Sequence, residues 1–299
     1  MPAETVIARR QIDFSRPFFP ARLTALAHVA SWNRLEERHQ LRYSQLYALY
    51  LNEQTVFFEE LLATNVLPAL YQNPDRIGAD LADDLRRFEA EEHRHSRWFR
   101  EANHLVDPGR FSLAAGSYFF IPVDAKMRSV SAWFAQRPFA FPCWILLMLL
   151  QEERSIFIAQ ECLKKFNQVE PTFLNLHRKH LADEIDHVKW DLKLIERVWL
   201  PMPMWKRRLQ ARLFGTMMRE FFTTPKRAGK AVLQAFIDEF PELVPLSPDL
   251  HRELGELATS REYHASLYSR AITPRAFALF DDLPEFKNLG DYLLAYVRP

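Results

Sequence analysis

HLADEIDH, residues 180–187, sets His180, Glu184 and His187 at spacings of four and three inside a stretch that otherwise has the composition of an ordinary helix. At about 3.6 residues per turn these side chains share one helical face. Leu174, Leu181, Ile185, Val188, Leu192, Ile195 and Trp199 form an apolar stripe on the same helix, and His177, His180, Glu184, His187 and Asp191 run beside it. The polar stripe is therefore expected to border the core. Three metal-capable side chains in such a row pose a charge problem that the rest of the chain must answer.

The same theme recurs upstream. In the helix expected near 75–104, Leu81, Leu85, Phe88, Glu92, His95, Phe99 and Ala102 follow one another in steps of three and four, and only Glu92 and His95 are polar. Burying a carboxylate and an imidazole costs on the order of several kcal/mol unless something compensates them. A bound cation compensates both. The helix expected near 139–167 carries Leu146, Leu149, Glu153, Ile156, Gln160 and Leu163 at the same period, with Glu153 as the interruption.

Two Glu-x-x-His pairs result, Glu92 with His95 and Glu184 with His187, each preceded by a long helix with further glutamates. Ferritin-like di-metal bundles use this pattern: one Glu from each of two helices and a Glu-x-x-His from each of the other two. Glu153 precedes Glu184 by 31 positions, while Glu59, Glu60 and Glu53 precede Glu92 by 33, 32 and 39. Hairpin spacing therefore favours Glu59 or Glu60 and leaves those two open. Against it, EQTVFFEE (53–60) is similar to ERSIFIAQ (153–160), a repeat that would equate Glu53 with Glu153. A lone Glu-x-x-His arises often by chance; two on core-facing stripes, each with a glutamate at a similar distance upstream, do not. His93, His104, His177, His251 and His264 have no such constellation and are expected to be structural or solvent-facing. Asp183, Asp186 and Asp191 can orient ligand histidines as acceptors or simply face water.

The bulk composition narrows the alternatives. With 299 residues, 48% of them hydrophobic and 13% aromatic, the chain can bury a large core. Lysine and arginine (39) nearly balance aspartate and glutamate (38), which removes the field that would attract nucleic acid or an anionic membrane. Cys143 and Cys162 cannot make a disulfide framework and MPAETVIARR (1–10) has no secretory apolar segment, so a cytoplasmic location is expected. CWILLMLL (143–150) is far shorter than the roughly 20 residues that span a bilayer. Only seven glycines, with long runs of good helix formers, predict an all-α fold. After a tail to about 20, helices are expected near 21–31, 35–71, 75–104, 124–135, 139–167, 171–199, 204–223, 226–240, 249–271 and 274–281. The reading is one domain over 1–299: a ferritin-like four-helix bundle at about 35–200, with additional peripheral helices at about 204–299.

The third histidine of the opening stretch adds specificity. H-x-x-x-E-x-x-H (180–187), with EEHRHS (91–96), QEERSIF (151–157) and FFEE (57–60), resembles the para-aminobenzoate N-oxygenase family of diiron oxygenases over roughly residues 40–200. That resemblance implies two irons held by four glutamates and three histidines: Glu59, Glu92, His95, Glu153, His180, Glu184 and His187. Glu59 is chosen over Glu60 because the family's first ligand follows an aromatic residue. Carboxylates with imidazoles suit iron, with manganese as a substitute, and no cysteine ligands point to structural zinc. By resemblance the protein is an O2-dependent N-oxygenase acting on a small amine, free or tethered to a carrier protein, in natural-product biosynthesis. A diiron C–H hydroxylase or desaturase is the enzymatic alternative, and a ferritin-like iron-binding protein the non-enzymatic one. No flavin or nicotinamide fingerprint is present, so an external electron donor is expected. The basic stretch with Lys206, Arg207, Arg208, Arg212, Arg219, Lys226, Arg227 and Lys230 reads as a solvated face, or more sharply as a docking surface for an acidic carrier. Long apolar helices make a homodimer a further expectation.

Overall fold

The computed structural model describes residues 12–223 and 227–299; Lys226 of the basic stretch lies outside the described residues. The helices are α1 (Glu37–Leu61), α2 (Leu67–Tyr71), α3 (Pro74–Ile77), α4 (Ala79–Val106), α5 (Ala125–Ala135), α6 (Cys143–Lys164), α7 (Pro171–Leu194), α8 (Met204–Met217), α9 (Arg227–Glu239), α10 (Ser247–Glu256), α11 (Arg261–Leu267) and α12 (Pro274–Asp282). No strand occurs among the described residues, and the fold is all-α and ferritin-like. None of these helices is long and apolar enough to cross a membrane.

Four long helices make the bundle. α1 packs on α4, α4 on α7 and α7 on α6, while a cavity lined from α1, α6 and α7 lies on the remaining side. The stripe on α4 faces the centre as its period requires: Leu81, Leu85, Phe88, Glu92, His95, Phe99 and Ala102 are all buried. On α7 the outcome differs from the expectation. Ile185 is 49% exposed, whereas His180, Glu184, His187 and Asp191 are all buried. The polar stripe is itself the core-facing one.

α6 departs further, for an identifiable reason. Every residue from Cys143 to Leu150 is buried, because α7 covers one side while α8 and α12 pack on others. An all-round apolar helix has no face for periodicity to detect. Its bundle-facing line runs through Ile145, Met148, Glu152 and Ala159, all buried, while Gln160 of the expected stripe is exposed.

Several boundaries move for local reasons. The helix expected near 21–31 is three 3-10 turns, Ala21–Leu23, Ala25–His28 and Ala30–Arg34, separated by the extended residues Thr24 and Val29. A π-turn, Leu62–Val66, interrupts the expected 35–71 helix just after Glu59; such turns accompany functional sites often. Gly78 breaks the next helix with φ 86, a left-handed conformation glycine adopts at little cost. Ser260 caps α11 by accepting from the Tyr263 N–H and so divides the expected 249–271 helix.

Candidate metal centre

Glu92 and His95 from α4, Glu184 and His187 from α7, and Glu59 from α1 converge in the bundle, all buried. His95 Nδ1 lies 3.5 Å from Glu92 Oε1 and 3.6 Å from Glu184 Oε1. His187 Nδ1 lies 3.4 Å from the same two oxygens. His180 Nε2 approaches Glu184 Oε1 at 2.9 Å and Glu59 Oε1 at 3.2 Å. Donor atoms of Glu92, His95, Glu184 and His187 lie within 4.8 Å of one another, as do those of Glu59, His95 and His180. Of the seven residues expected as ligands, the structure brings six together here: Glu59, Glu92, His95, His180, Glu184 and His187.

Glu153 is the exception. Its carboxylate turns away from the bundle and accepts hydrogen bonds from the Arg275 and Ala276 N–H groups, each at 2.9 Å. Those are first-turn amides of α12, whose N-cap residue Thr273 supplies no side-chain cap. An anion there offsets the unsatisfied amides and the helix dipole. Glu152 occupies the inward position instead, 4.0 Å from His187 Nδ1 and facing Glu184. Glu60, the alternative first carboxylate, also points elsewhere: it accepts from Arg100 at 2.7 Å and from the Tyr118 hydroxyl at 2.8 Å. Glu53, the counterpart of Glu153 by repeat, accepts from the Phe119 and Phe120 N–H groups.

The outer partners fix the rings. His95 Nε2 meets Asp183 Oδ2 at 2.9 Å, and His187 Nε2 meets Glu91 Oε2 at 3.1 Å. Each carboxylate is in turn held by an arginine, Asp183 by Arg94 at 2.7 Å and Glu91 by Arg87 at 3.0 Å. A proton on Nε2 leaves the Nδ1 lone pair directed inward, the usual second-sphere device of metal sites. Burial favours the neutral acid of Asp183, but the His95 and Arg94 contacts outweigh it and hold the pKa at about 2. Ser96 Oγ donates to Glu59 Oε2 at 3.1 Å. Asp186 only pairs with Arg87 and Lys189 near the surface. Asp191 is fully buried with both oxygens unpartnered, and burial raises its pKa well above normal, Glu184 and Glu92 adding to it against His187.

The cluster could hold a cation. Both oxygens of Glu92 and Glu184 and the Nδ1 atoms of His95 and His187 are buried without a hydrogen-bond partner. Burial, with the charge of Glu92 added, pushes Glu59 up to about 7. Burial and then Glu184 raise Glu152 well above the carboxylate range. Burial opposes a charge on His187, yet Glu184, Glu91 and Glu92 together carry its pKa up to about 10. These are the signs of anions and lone pairs crowded together without their counter-charge. Four carboxylates match the charge of two divalent ions, and the hard oxygen and imidazole donors suit iron or manganese.

A family model, P-aminobenzoate N-oxygenase AurF, matches residues 7–243. The chain belongs to this family. It is an oxygenase of the diiron class, and its buried Glu and His cluster is suited to hold metal. A comparison with curated proteins gave no match. The carboxylates at the cluster that the sequence reading did not single out are Glu152 and, against His187 Nε2, Glu91. A shared signal exists: Glu59–Glu60, Glu91–Glu92 and Glu152–Glu153 are all Glu-Glu dyads, and in each one member points into the cluster. Which member does so depends on neighbours that only the fold supplies. His177 lines the cavity beside the cluster; His104 Nδ1 contacts the Phe111 carbonyl and His264 Nε2 the Ala258 carbonyl.

Proposed function

We propose that Glu59, Glu92, His95, Glu152, His180, Glu184 and His187 hold two iron ions, and that the protein uses O2 to oxidise the nitrogen of a small amine to a hydroxylamine, nitroso or nitro product. The observation that carries this reading is the set of inward, unpartnered oxygens and nitrogens of Glu92, Glu184, His95 and His187 beside a cavity that Glu59, Glu152 and His180 also line. Bound iron would supply the redox chemistry for O2 activation, passing on electrons received from a donor. The first step balances as amine plus O2, two electrons and two protons giving hydroxylamine and water, with electrons from an external donor. The chain's own residues position and shield. Asp183 and Glu91 orient two imidazoles, and Phe19, Phe58, Phe99, Ile158 and Phe222 give the cavity apolar walls that limit water. His177 stays neutral there, since burial and then the charge of His180 lower its pKa to about 3.

The peripheral helices α8 and α12 pack on α6, and α9 on α1, which supports reading 1–299 as one domain. The proposed setting is cytoplasmic natural-product biosynthesis. A carrier-docking role for the basic helix would rest on Arg208 and Arg212, because Arg207 faces Glu285 at 3.4 Å. The C–H hydroxylase or desaturase reading uses the same ligands and differs only in the substrate. The test is anaerobic iron loading followed by O2 in the presence of paired amine and hydrocarbon substrates, with products read by mass spectrometry. Two irons per chain and oxygenated nitrogen support the proposal. Hydroxylated or desaturated carbon with an untouched amine overturns the N-oxygenase assignment.

A further inference from the structure

Each Glu-x-x-His pair is continued by the same residue type three places on. Glu92 and His95 lead to Trp98, Glu184 and His187 to Trp190, so both half-sites read E-x-x-H-x-x-W. The Trp98 ring centroid lies 5.5 Å from that of His95, and the Trp190 centroid 5.6 Å from that of His187. Each indole is 5% exposed, so an edge reaches the surface while the body of the ring rests against an imidazole of the cluster. On each side of the α4–α7 pair, one aromatic step thus separates solvent from the candidate metal centre.

The two exits differ in charge. Around Trp190 the cations are already neutralised: Arg87, 5.3 Å from the indole, pairs with Glu91 and Asp186, Lys189 with Asp186, and Lys193 with Asp84. At Trp98, Arg94 holds Asp183, but Lys179 Nζ lies 5.8 Å over the indole with no carboxylate partner among the described residues. Arg97 and Arg178, the chain neighbours of Trp98 and Lys179, are exposed and equally unpaired among the described residues. Against these three cations stands Glu101, one turn further along α4, which forms an ion pair with none of them. Packing accounts for an indole beside each imidazole. It does not account for free positive charge gathered at one indole and neutralised at its counterpart.

We propose that electrons enter at Trp98, and that the face carrying Lys179, Arg97 and Arg178 docks the acidic surface of a one-electron carrier protein. The need for electrons comes from the diiron oxygenase reading; the docking surface does not depend on it. Facing charges of opposite sign speed encounter and fix orientation more than they add affinity, which suits a partner that must leave after each transfer. The indole edge offers that partner an aromatic contact among the charges. Each encounter passes one electron: the carrier is oxidised by one, one ferric ion of the cluster becomes ferrous, and the indole on the route ends unchanged. Two encounters supply the two electrons that the first oxygenation step consumes, its two protons coming from solvent.

The test uses a plant-type two-iron ferredoxin, an acidic one-electron protein. Reduced ferredoxin is mixed without O2 with the oxidised, iron-loaded protein and its re-oxidation is followed by stopped-flow absorbance; dithionite serves as a reductant that needs no docking. The second-order rate with ferredoxin should fall about tenfold or more from low to high salt, and by a similar factor in Lys179→Glu at low salt, the range over which electrostatic steering acts. Dithionite should reduce wild type and Lys179→Glu at similar rates. At saturating ferredoxin, Trp98→Leu should lose most of the first-order transfer rate with its iron content unchanged, Trp98→Phe should fall between, and Trp190→Leu should keep the wild-type rate. A ferredoxin rate indifferent to salt and to Lys179→Glu overturns the docking surface, as does an equal slowing of dithionite by that variant. A larger loss in Trp190→Leu than in Trp98→Leu overturns the entry point. A protein that takes up no iron would sink the oxygenase reading instead; calorimetric titration of the protein as isolated with ferredoxin would then still decide the docking surface, weaker binding in Lys179→Glu supporting it and unchanged binding overturning it.

Discussion

Replacing Glu152 and Glu153 separately by glutamine separates a ligand from a strut, although the two residues are adjacent and both are buried. Glu152 faces Glu184 and His187. Its glutamine variant removes one anionic donor, and the iron nearest His187 should weaken at least as much as on loss of an outer-sphere partner, about 10- to 100-fold. Burial and the neighbouring Glu184 already hold the Glu152 carboxyl neutral in the metal-free protein, so glutamine replaces it there as a neutral side chain of the same shape. The metal-free protein should therefore melt close to wild type. Glu153→Gln has the opposite signature. Its two bonds from Arg275 and Ala276 amides, and an Arg275 side chain at 3.6 Å, hold the start of α12 against α6. Losing a charged cap of this kind costs about 1–2 kcal/mol, a melting shift of a few degrees in a chain of this size, with iron stoichiometry unchanged. Iron content by plasma emission and melting of metal-free and loaded protein decide the matter together. Loss of iron in Glu153→Gln with full loading in Glu152→Gln would refute the assignment of the inward carboxylate.

Other perturbations probe the surrounding layers. Asp183→Asn and Glu91→Gln should each lower iron affinity about 10- to 100-fold by unfixing one imidazole, measured by competition with a chelator; an unchanged affinity would make these contacts incidental. Phe88, fully buried, stacks on His187 with ring centroids 3.8 Å apart. Phe88→Ala should cost about 3–5 kcal/mol in denaturant unfolding and also weaken iron retention. Glu239 accepts from Arg42 and Arg110; burial opposes its charge, but those arginines hold its pKa below the ordinary carboxylate value. A depressed folded pKa contributes stability above about pH 4.5 that is lost as pH falls through the folded value. Glu239→Gln should therefore flatten the acid limb of the melting profile by about 1 kcal/mol, and an unaltered limb would exclude the contribution.

The parts of this fold legible in the sequence are those where one helix face decides. On α4, apolar residues every three or four positions with Glu92 and His95 among them could only be a buried polar pair, and all are buried. On α7 the grouping was legible but its orientation was not, because a stripe of His and Glu looks solvated until a counter-charge is assumed. On α6 the run Cys143–Leu150 carries no phase, so reading Glu153 as the interruption of an inward stripe followed a period that this helix does not express, and Glu152 did not come into question. The partner that claims Glu153, the start of α12, lies more than a hundred positions downstream. Nothing local in the sequence announces it.

The weak repeat between 53–60 and 153–160 takes on meaning at this point. Glu53 and Glu153 each accept two consecutive backbone N–H groups from a segment that crosses outside the bundle, Phe119–Phe120 in one case and Arg275–Ala276 in the other. Burial tends to raise both carboxyl pKa values, while those amides work to keep the groups charged. The repeat thus marks equivalent struts and not equivalent ligands: the inward carboxylate lies six positions after the strut on α1 and one before it on α6. A glutamate in a buried helix can be satisfied by a cation on one side or by unpaired amides on the other, and the two solutions leave the same trace in a sequence. What separates them is whether the carboxylate oxygens already have donors. Those of Glu53 and Glu153 do, and those of Glu92 and Glu184 do not. Chelator treatment should therefore raise the hydrogen-exchange rates of α4 and α7 around Glu92 and Glu184 and leave the amides of Phe119, Phe120, Arg275 and Ala276 protected. Equal loosening of both sets would mean that the struts, too, depend on the metal.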